Sequence, residues 1–174
     1  HLIAPLDFDM AVDVHRYAKD EGINLILNNG LKSVSETEEG LKIGLEQGSL
    51  SADMLLLSVG VRPETSLAAG CGIRLNSRGA IVTDSQMRTN IPDIYAVGDA
   101  VEIQDFVTGQ PASIPLAGPA NKQGRIAADN ICGLESSYSG TQGSAVLRFF
   151  QMTVATTGLN ERAAKAAGLD YDKT

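Results

Sequence analysis

One run constrains this chain more than any other: Thr89-Asn90-Ile91-Pro92-Asp93-Ile94-Tyr95-Ala96-Val97-Gly98-Asp99. It reads as a turn, a short apolar strand, a glycine and a carboxylate. Ile94 to Val97 show no polar alternation, which suits a strand buried on both faces. Such strands belong to sheets covered by helices, and there ligands bind just past the carboxyl ends of strands. Gly98 has no Cβ, so backbone can approach a ligand closely. Asp99 adds two acceptor oxygens matched to polyol hydroxyls. For a bare Gly-Asp, a strand followed by a turn-capping aspartate is the more ordinary explanation.

Composition narrows the classes. The chain has 174 residues, 43% of them apolar, enough for a core. Fourteen Lys and Arg against 21 Asp and Glu give a net charge of −7. An acidic chain without a basic block is a poor match for nucleic acid or an anionic membrane. No apolar run approaches the roughly 18 residues of a spanning helix. The first residues carry no charged-then-apolar targeting signal, and the chain does not start with Met, so a piece of a longer cytoplasmic protein is expected. Cys71 and Cys132 lie far apart, without C-x-x-C spacing, and with only His1 and His15 they make no metal site. Two reduced cysteines are expected.

Periodicity predicts a helix over 7–21 with Met10, Val14, Tyr17 and Ala18 on one face, closed by Gly22. Residues 23–27 read as a strand, and 32–36 with 41–46 as an antiparallel pair. The unalternating run 54–59 reads as a strand buried on both faces. After a short helix at 64–69 comes a hairpin, 73–75 with 80–83. A helix from about 118 to 132 shows a narrow small-residue face at Ala120, Gly124, Ala127, Ala128 and Ile131. The Ser- and Gly-rich stretch 135–144 reads as a linker. Strands at 145–150 and 152–156 and a helix at 160–167 close the chain. The pattern gives an α/β or α+β class, with no G-x-G-x-x-G anywhere.

Three further segments bear on chemistry. The run 54–64 ends in Gly60-Val61-Arg62-Pro63, which forces the chain out of a sheet with backbone exposed at the strand end. Segment 114–125 carries Leu116-Ala117-Gly118-Pro119 at a helix start. A helix N-terminus offers free N–H groups and about half a positive charge, suited to stabilising a developing anion. Each segment also reads plainly as structure: a buried strand with a proline-assisted exit, and a proline-started core helix. The fourth segment is 149–161, Phe149-Phe150-Gln151-Met152-Thr153-Val154-Ala155-Thr156-Thr157-Gly158-Leu159-Asn160-Glu161.

Residues 89–99 closely resemble the second FAD-binding motif of the two-dinucleotide-binding flavoproteins. With 114–125 and 149–161, the chain resembles the FAD-dependent pyridine nucleotide–disulfide oxidoreductases, in the branch of CoA-disulfide reductases and NADH oxidases. The resemblance implies a partial two-dinucleotide-binding-domain flavoprotein of incomplete wound sheets with a β-meander, plus the start of an α+β dimerisation domain. Residues 1–60 would be the later half of an NAD(P)H domain, 61–139 the returning part of an FAD domain, and 140–174 the start of the dimerisation domain. It implies FAD and NAD(P)H as cofactors, a homodimer, and a small-molecule disulfide, oxygen or peroxide as acceptor. Asp99 would take the ribityl chain, with Gly98 and Ala100 backbone near it. Leu116 and Ala117 would face the flavin edge, and Gly60-Val61 the nicotinamide. The family's first FAD motif, its nicotinamide glycine motif and its redox cysteine have no counterpart here. No catalytic residue and no metal ligand is therefore assigned, and the chain alone is expected to be inactive. A stand-alone binding or interaction module derived from the same fold is the alternative.

Overall fold

The computed structural model describes residues 1–173. The chain divides into two compact units, His1–Val61 and Arg62–Thr174. No helix among the described residues is long and apolar enough to cross a membrane.

The first unit holds one helix and a meander. Helix α1 (Phe8–Asp20) ends where Gly22, in the left-handed region, lets its N–H bond the Lys19 carbonyl and Ile23 N–H bond the Ala18 carbonyl. The buried stripe is Ala11, Val14 and Ala18, whereas Met10 is 62% exposed. The predicted face is thus turned by one residue: three small side chains let the helix seat closely. Strands β1 (Leu31–Thr37), β2 (Gly40–Leu45) and β3 (Ser49–Ala52) form an antiparallel sheet in that order. Val34 pairs with Ile43, and Ile43 with Leu50, and of these only Ile43 is buried. The expected pair is present, and β3 extends it.

Two predicted strands of this unit do not form. Residues 23–27 and 54–59 form no strand and have no ladder partner among the described residues. Leu56 and Val59, expected inside a covered sheet, are 84% and 85% exposed. The reason is physical: a parallel strand exists only when a partner from elsewhere in the chain closes its hydrogen bonds. The apolar content is there, and among the described residues no neighbour pairs with either run.

The second unit packs around Met87, Val101, Ile103, Ala127 and Tyr138, with Ile81, Tyr95, Ala96, Ala112, Ile114 and Ile126 against them. Helix α2 (Ser66–Gly70) leads into the predicted hairpin, which narrows to the single antiparallel bridge Leu75 to Ile81. Asn76 Oδ1 shapes that turn by accepting the Arg78 and Ala80 N–H groups, both at 2.9 Å. Ile81 bridges in parallel to Val101, while the predicted strand 94–97 pairs only at Tyr95, with Arg88. A two-residue pair, β4 (Ile103–Gln104) and β5 (Pro111–Ala112), was not legible as strands.

Helix α3 (Ala117–Ile131) buries Pro119, Gln123, Ala127 and Asn130. The expected small-residue face shares only Ala127 with this stripe, and Ile131 is 64% exposed. The helix is rotated so that two amides point inward, and both find partners. The predicted linker at 135–144 is pinned instead. Tyr138 is buried in the core and its N–H bonds the Ser85 carbonyl at 2.7 Å. Asn130 Nδ2 reaches the Ser136 carbonyl at 2.7 Å, and Thr141 exchanges backbone bonds with Phe106 and Gln104. Serine and glycine loosen a free chain, but one buried aromatic, these three backbone bonds and the Asn130 amide fix this one.

Strands β6 (Ala145–Phe149) and β7 (Met152–Thr156) form the predicted hairpin. Helix α4 (Glu161–Ala166) follows, capped by Asn160, whose Oδ1 accepts Ala163 N–H at 2.8 Å. Thr174, the last residue of the expected dimerisation segment, lies outside the described residues.

Candidate functional site

The site grows from the end of the 94–97 segment. Gly98 takes φ +89°, and a Cβ built there would meet no atom within 4 Å. Its N–H donates to Gln123 Oε1 at 2.7 Å. Its carbonyl accepts Val101 N–H at 3.3 Å, closing a turn over Asp99 and Ala100. The Ala100 carbonyl is held by Ile81 N–H at 2.8 Å. Carbonyls of this turn are therefore engaged with protein. The Asp99 and Ala100 N–H groups are not, and the exposed Asp99 carboxylate makes no hydrogen bond or ion pair among the described residues. The turn thus holds two unpaired donors and a free carboxylate in adjacent residues.

Helix α3 supplies the second half. Its N-cap is Leu116, extended at φ −137° and ψ 144°, with no side-chain cap. The Ala117 and Gly118 N–H groups have no partner among the described residues, and nothing stands within 4 Å of a Cβ built at Gly118. A helix start without a capping acceptor leaves its positive end available. Gln123 lies on this same helix, so one buried side chain ties the Gly98 turn to α3. Gln123 is 1% exposed. Residue types and spacing gave it no role. The available signal was its place between Pro119 and Ala127 at four-residue intervals, which makes it a core position carrying a polar group.

Of the expected residues, Gly98, Asp99, Ala100, Leu116 and Ala117 all fall in the second unit. Gly60 and Val61 end the first unit in an exposed segment without secondary structure, Gly60 at φ +96°. Cys71 and Cys132 are free and exposed. Among the described residues no three His, Cys, Asp or Glu side chains gather as a metal site. A cavity of about 230 Å³ lies elsewhere in the second unit, lined among others by Thr83, Asp84, Glu102 and Tyr138, and includes none of the expected site residues. Burial pushes the Tyr138 phenol up from its ordinary value, and the neighbouring Gln123 and Thr141 side chains pull it part of the way back. The hydroxyl itself meets no partner at hydrogen-bonding geometry.

The arrangement fits a ligand with hydroxyls for the carboxylate, anionic oxygens for the two turn N–H groups, and an electron-rich edge for the helix start. FAD carries all three chemistries: ribityl hydroxyls, a pyrophosphate and the flavin carbonyl edge.

Known proteins point the same way. Residues 1–124 match the family profile described as pyridine nucleotide-disulphide oxidoreductase. An NAD(P)H sulfur oxidoreductase (CoA-dependent) of Pyrococcus abyssi is 33% identical over 164 residues, 94% of this chain and 37% of that relative. The structure of reduced Bacillus anthracis CoADR-RHD is similar over 97% of this chain and 30% of its own, at TM-score 0.91 and 44% identity. The water-forming NADH oxidase from Lactobacillus brevis, solved with NADH, is similar over 94% of this chain and 36% of its own, at TM-score 0.89 and 35% identity. The chain spans about a third of the length of the proteins it matches.

Proposed function

The chain belongs to the pyridine nucleotide-disulphide oxidoreductase family, and from that premise we propose that it forms part of an FAD-dependent NAD(P)H oxidoreductase. When bound, FAD supplies hydride acceptance from NAD(P)H and passes the electrons to a disulfide such as that of coenzyme A, or to oxygen or peroxide. The relatives span both outcomes, one named for sulfur reduction and one for water formation.

This chain's residues bind and orient. The Asp99 carboxylate accepts hydrogen bonds from ribityl hydroxyls, while the Asp99 and Ala100 N–H groups face pyrophosphate oxygens. The Ala117 and Gly118 N–H groups, at the positive end of α3, favour negative charge on the flavin edge, and Leu116 covers it. Gly60 and Val61 approach the nicotinamide with bare backbone. Residues 1–60 act as part of an NAD(P)H domain, 61–139 as part of an FAD domain, and 140–174 open a surface for a homodimer, which light scattering checks. With no counterpart of the family's redox cysteine and no G-x-G-x-x-G, the chain alone does not turn over NADH.

The observation that carries this reading is the free Asp99 carboxylate beside two unpaired N–H groups, in the same unit as an uncapped helix start. Titration of the purified chain with FAD, followed by flavin fluorescence, tests it. Asp99→Ala is expected to weaken binding about 10- to 100-fold, the worth of a hydrogen bond to a charged group. Equal affinity in Asp99→Ala and the parent chain sinks the assignment. A parent chain that binds no FAD supports the non-catalytic module.

A further inference from the structure

We propose that Gln123 is a positioning residue for the cofactor turn, an inference that rests on the FAD reading above. Its Oε1 holds the Gly98 N–H at 2.7 Å. It is a buried amide, 1% exposed, on the inward face of α3. A polar group at such a site costs stability unless it is paired, so its pairing with a loop rather than with its own helix is informative. The contrast with Asn130, about two turns further along the same stripe, makes the point. Asn130 Nδ2 bonds the Ile126 carbonyl of its own helix and the Ser136 carbonyl beyond it, which ties off the helix end. Gln123 instead links α3 to the residue just before Asp99.

Two consequences follow. The Gly98 N–H is already engaged, so it is not a donor to a ligand, and the phosphate-facing donors are Asp99 and Ala100 N–H. The second consequence concerns geometry. The Gly98 turn and the start of α3 address different parts of one cofactor, and Gln123 fixes one against the other through a single short bond. Without it, Gly98 can rotate about its permissive φ, and the Asp99 carboxylate moves with it.

The test compares Gln123→Met with Gln123→Glu and with Asn130→Leu. Methionine keeps the size of glutamine without its amide, and glutamate keeps an acceptor oxygen at the same reach. Amide hydrogen exchange of Gly98, read by NMR on the chain without ligand, reports the bond directly. In Gln123→Met, Gly98 exchange is expected to rise about 3- to 10-fold, the net worth of one hydrogen bond. In Gln123→Glu the protection is expected to persist, and in Asn130→Leu the Gly98 amide is expected to keep its rate relative to its neighbours. FAD affinity is expected to fall in Gln123→Met and recover in Gln123→Glu. Unchanged Gly98 exchange in Gln123→Met overturns the proposal, as does an equal rise in Asn130→Leu, which would mean general loosening of α3. If Gly98 protection is lost while FAD affinity stays, with Asp99→Ala still weakening FAD, positioning is refuted and the FAD reading stands. If the parent chain binds no FAD, both fall together.

Discussion

Replacing Gly98 with alanine separates the conformational demand of the site from its steric demand, with Gly140→Ala as the matched comparison. Both glycines sit in the left-handed region, at φ +89° and +90°. An L-residue there costs about 1–2 kcal/mol, partly offset by the smaller entropy that alanine loses on folding, so about 1 kcal/mol remains from torsion alone. At Gly98 nothing else is added, because no atom stands within 4 Å of the new Cβ. At Gly140 the Cβ would collide with the Gln104 carbonyl, which already accepts Thr141 N–H at 3.2 Å. Backbone must shift there, adding roughly 1–3 kcal/mol. Thermal unfolding by circular dichroism should therefore show Gly98→Ala a few degrees below the parent, about 2–8 °C per kcal/mol, and Gly140→Ala clearly lower. FAD titration should reverse the order. The Gly98 methyl occupies the open space over the turn and should cost about tenfold in affinity, while Gly140→Ala, below its melting point, should bind as the parent does. Gly98→Ala proving as destabilising as Gly140→Ala would refute the open-space argument. Unchanged FAD affinity in Gly98→Ala would refute the placement of the cofactor over this turn.

Tyr138→Phe removes a buried hydroxyl that meets no partner. It should leave stability unchanged or raise it by about 1 kcal/mol in urea unfolding, because no hydrogen bond is lost and a desolvated polar group disappears. A loss beyond 1 kcal/mol would mean that the hydroxyl is paired in solution. Hydrogen bonds from Lys165 first, then Lys173 and Tyr171, hold the Glu161 carboxyl down to about 2. A depressed carboxylate stabilises the folded arrangement above the ordinary glutamate range and loses that contribution as pH falls toward 2. The contacts of Tyr171 and Lys173 with α4 should therefore survive pH 4 and fail near pH 2, followed by carbon NMR of the Glu161 carboxyl. A midpoint at the ordinary glutamate value of 4.5 would refute the cluster.

What the sequence made legible follows from where each element gets its partners. The β1–β2 pair, the β6–β7 hairpin and α1 draw on neighbours within a few residues, and local pattern found them. The strands expected at 23–27 and 54–59 depend on distant partners, so their apolar character predicted a tendency without a neighbour to satisfy it. Strands of two residues, as at Ile103–Gln104, are too short for any period to register. At 135–144, composition suggested freedom, and one aromatic decided otherwise: Tyr138 reaches the core and fixes the backbone on both sides. The site was legible where chemistry sits in adjacent residues, as at Gly98, Asp99 and Ala100. Gln123 was not, because its partner lies 25 positions away and a lone glutamine in a helix carries no signature.

Helix α3 joins stability and site in one element. Its inward stripe of Pro119, Gln123, Ala127 and Asn130 anchors it, and its N-terminus is left without a cap. A capping Ser or Asp at Leu116 would accept the Gly118 N–H, Pro119 having none to give, and stabilise the helix by about 1 kcal/mol. The leucine there forgoes that gain and leaves the Ala117 and Gly118 donors open. Proline at the third helical position does not compensate, since it only removes a donor that would have been orphaned in any case. Helices α1 and α2 also lack a side-chain cap, so the open start of α3 is no exception by itself; its Ala117 and Gly118 donors are simply left available. The pairing of buried Gln123 with Gly98 is what distinguishes α3. A core amide joined to the loop, rather than replaced by an apolar side chain, makes sense if the position of that loop matters more than the stability a leucine would add.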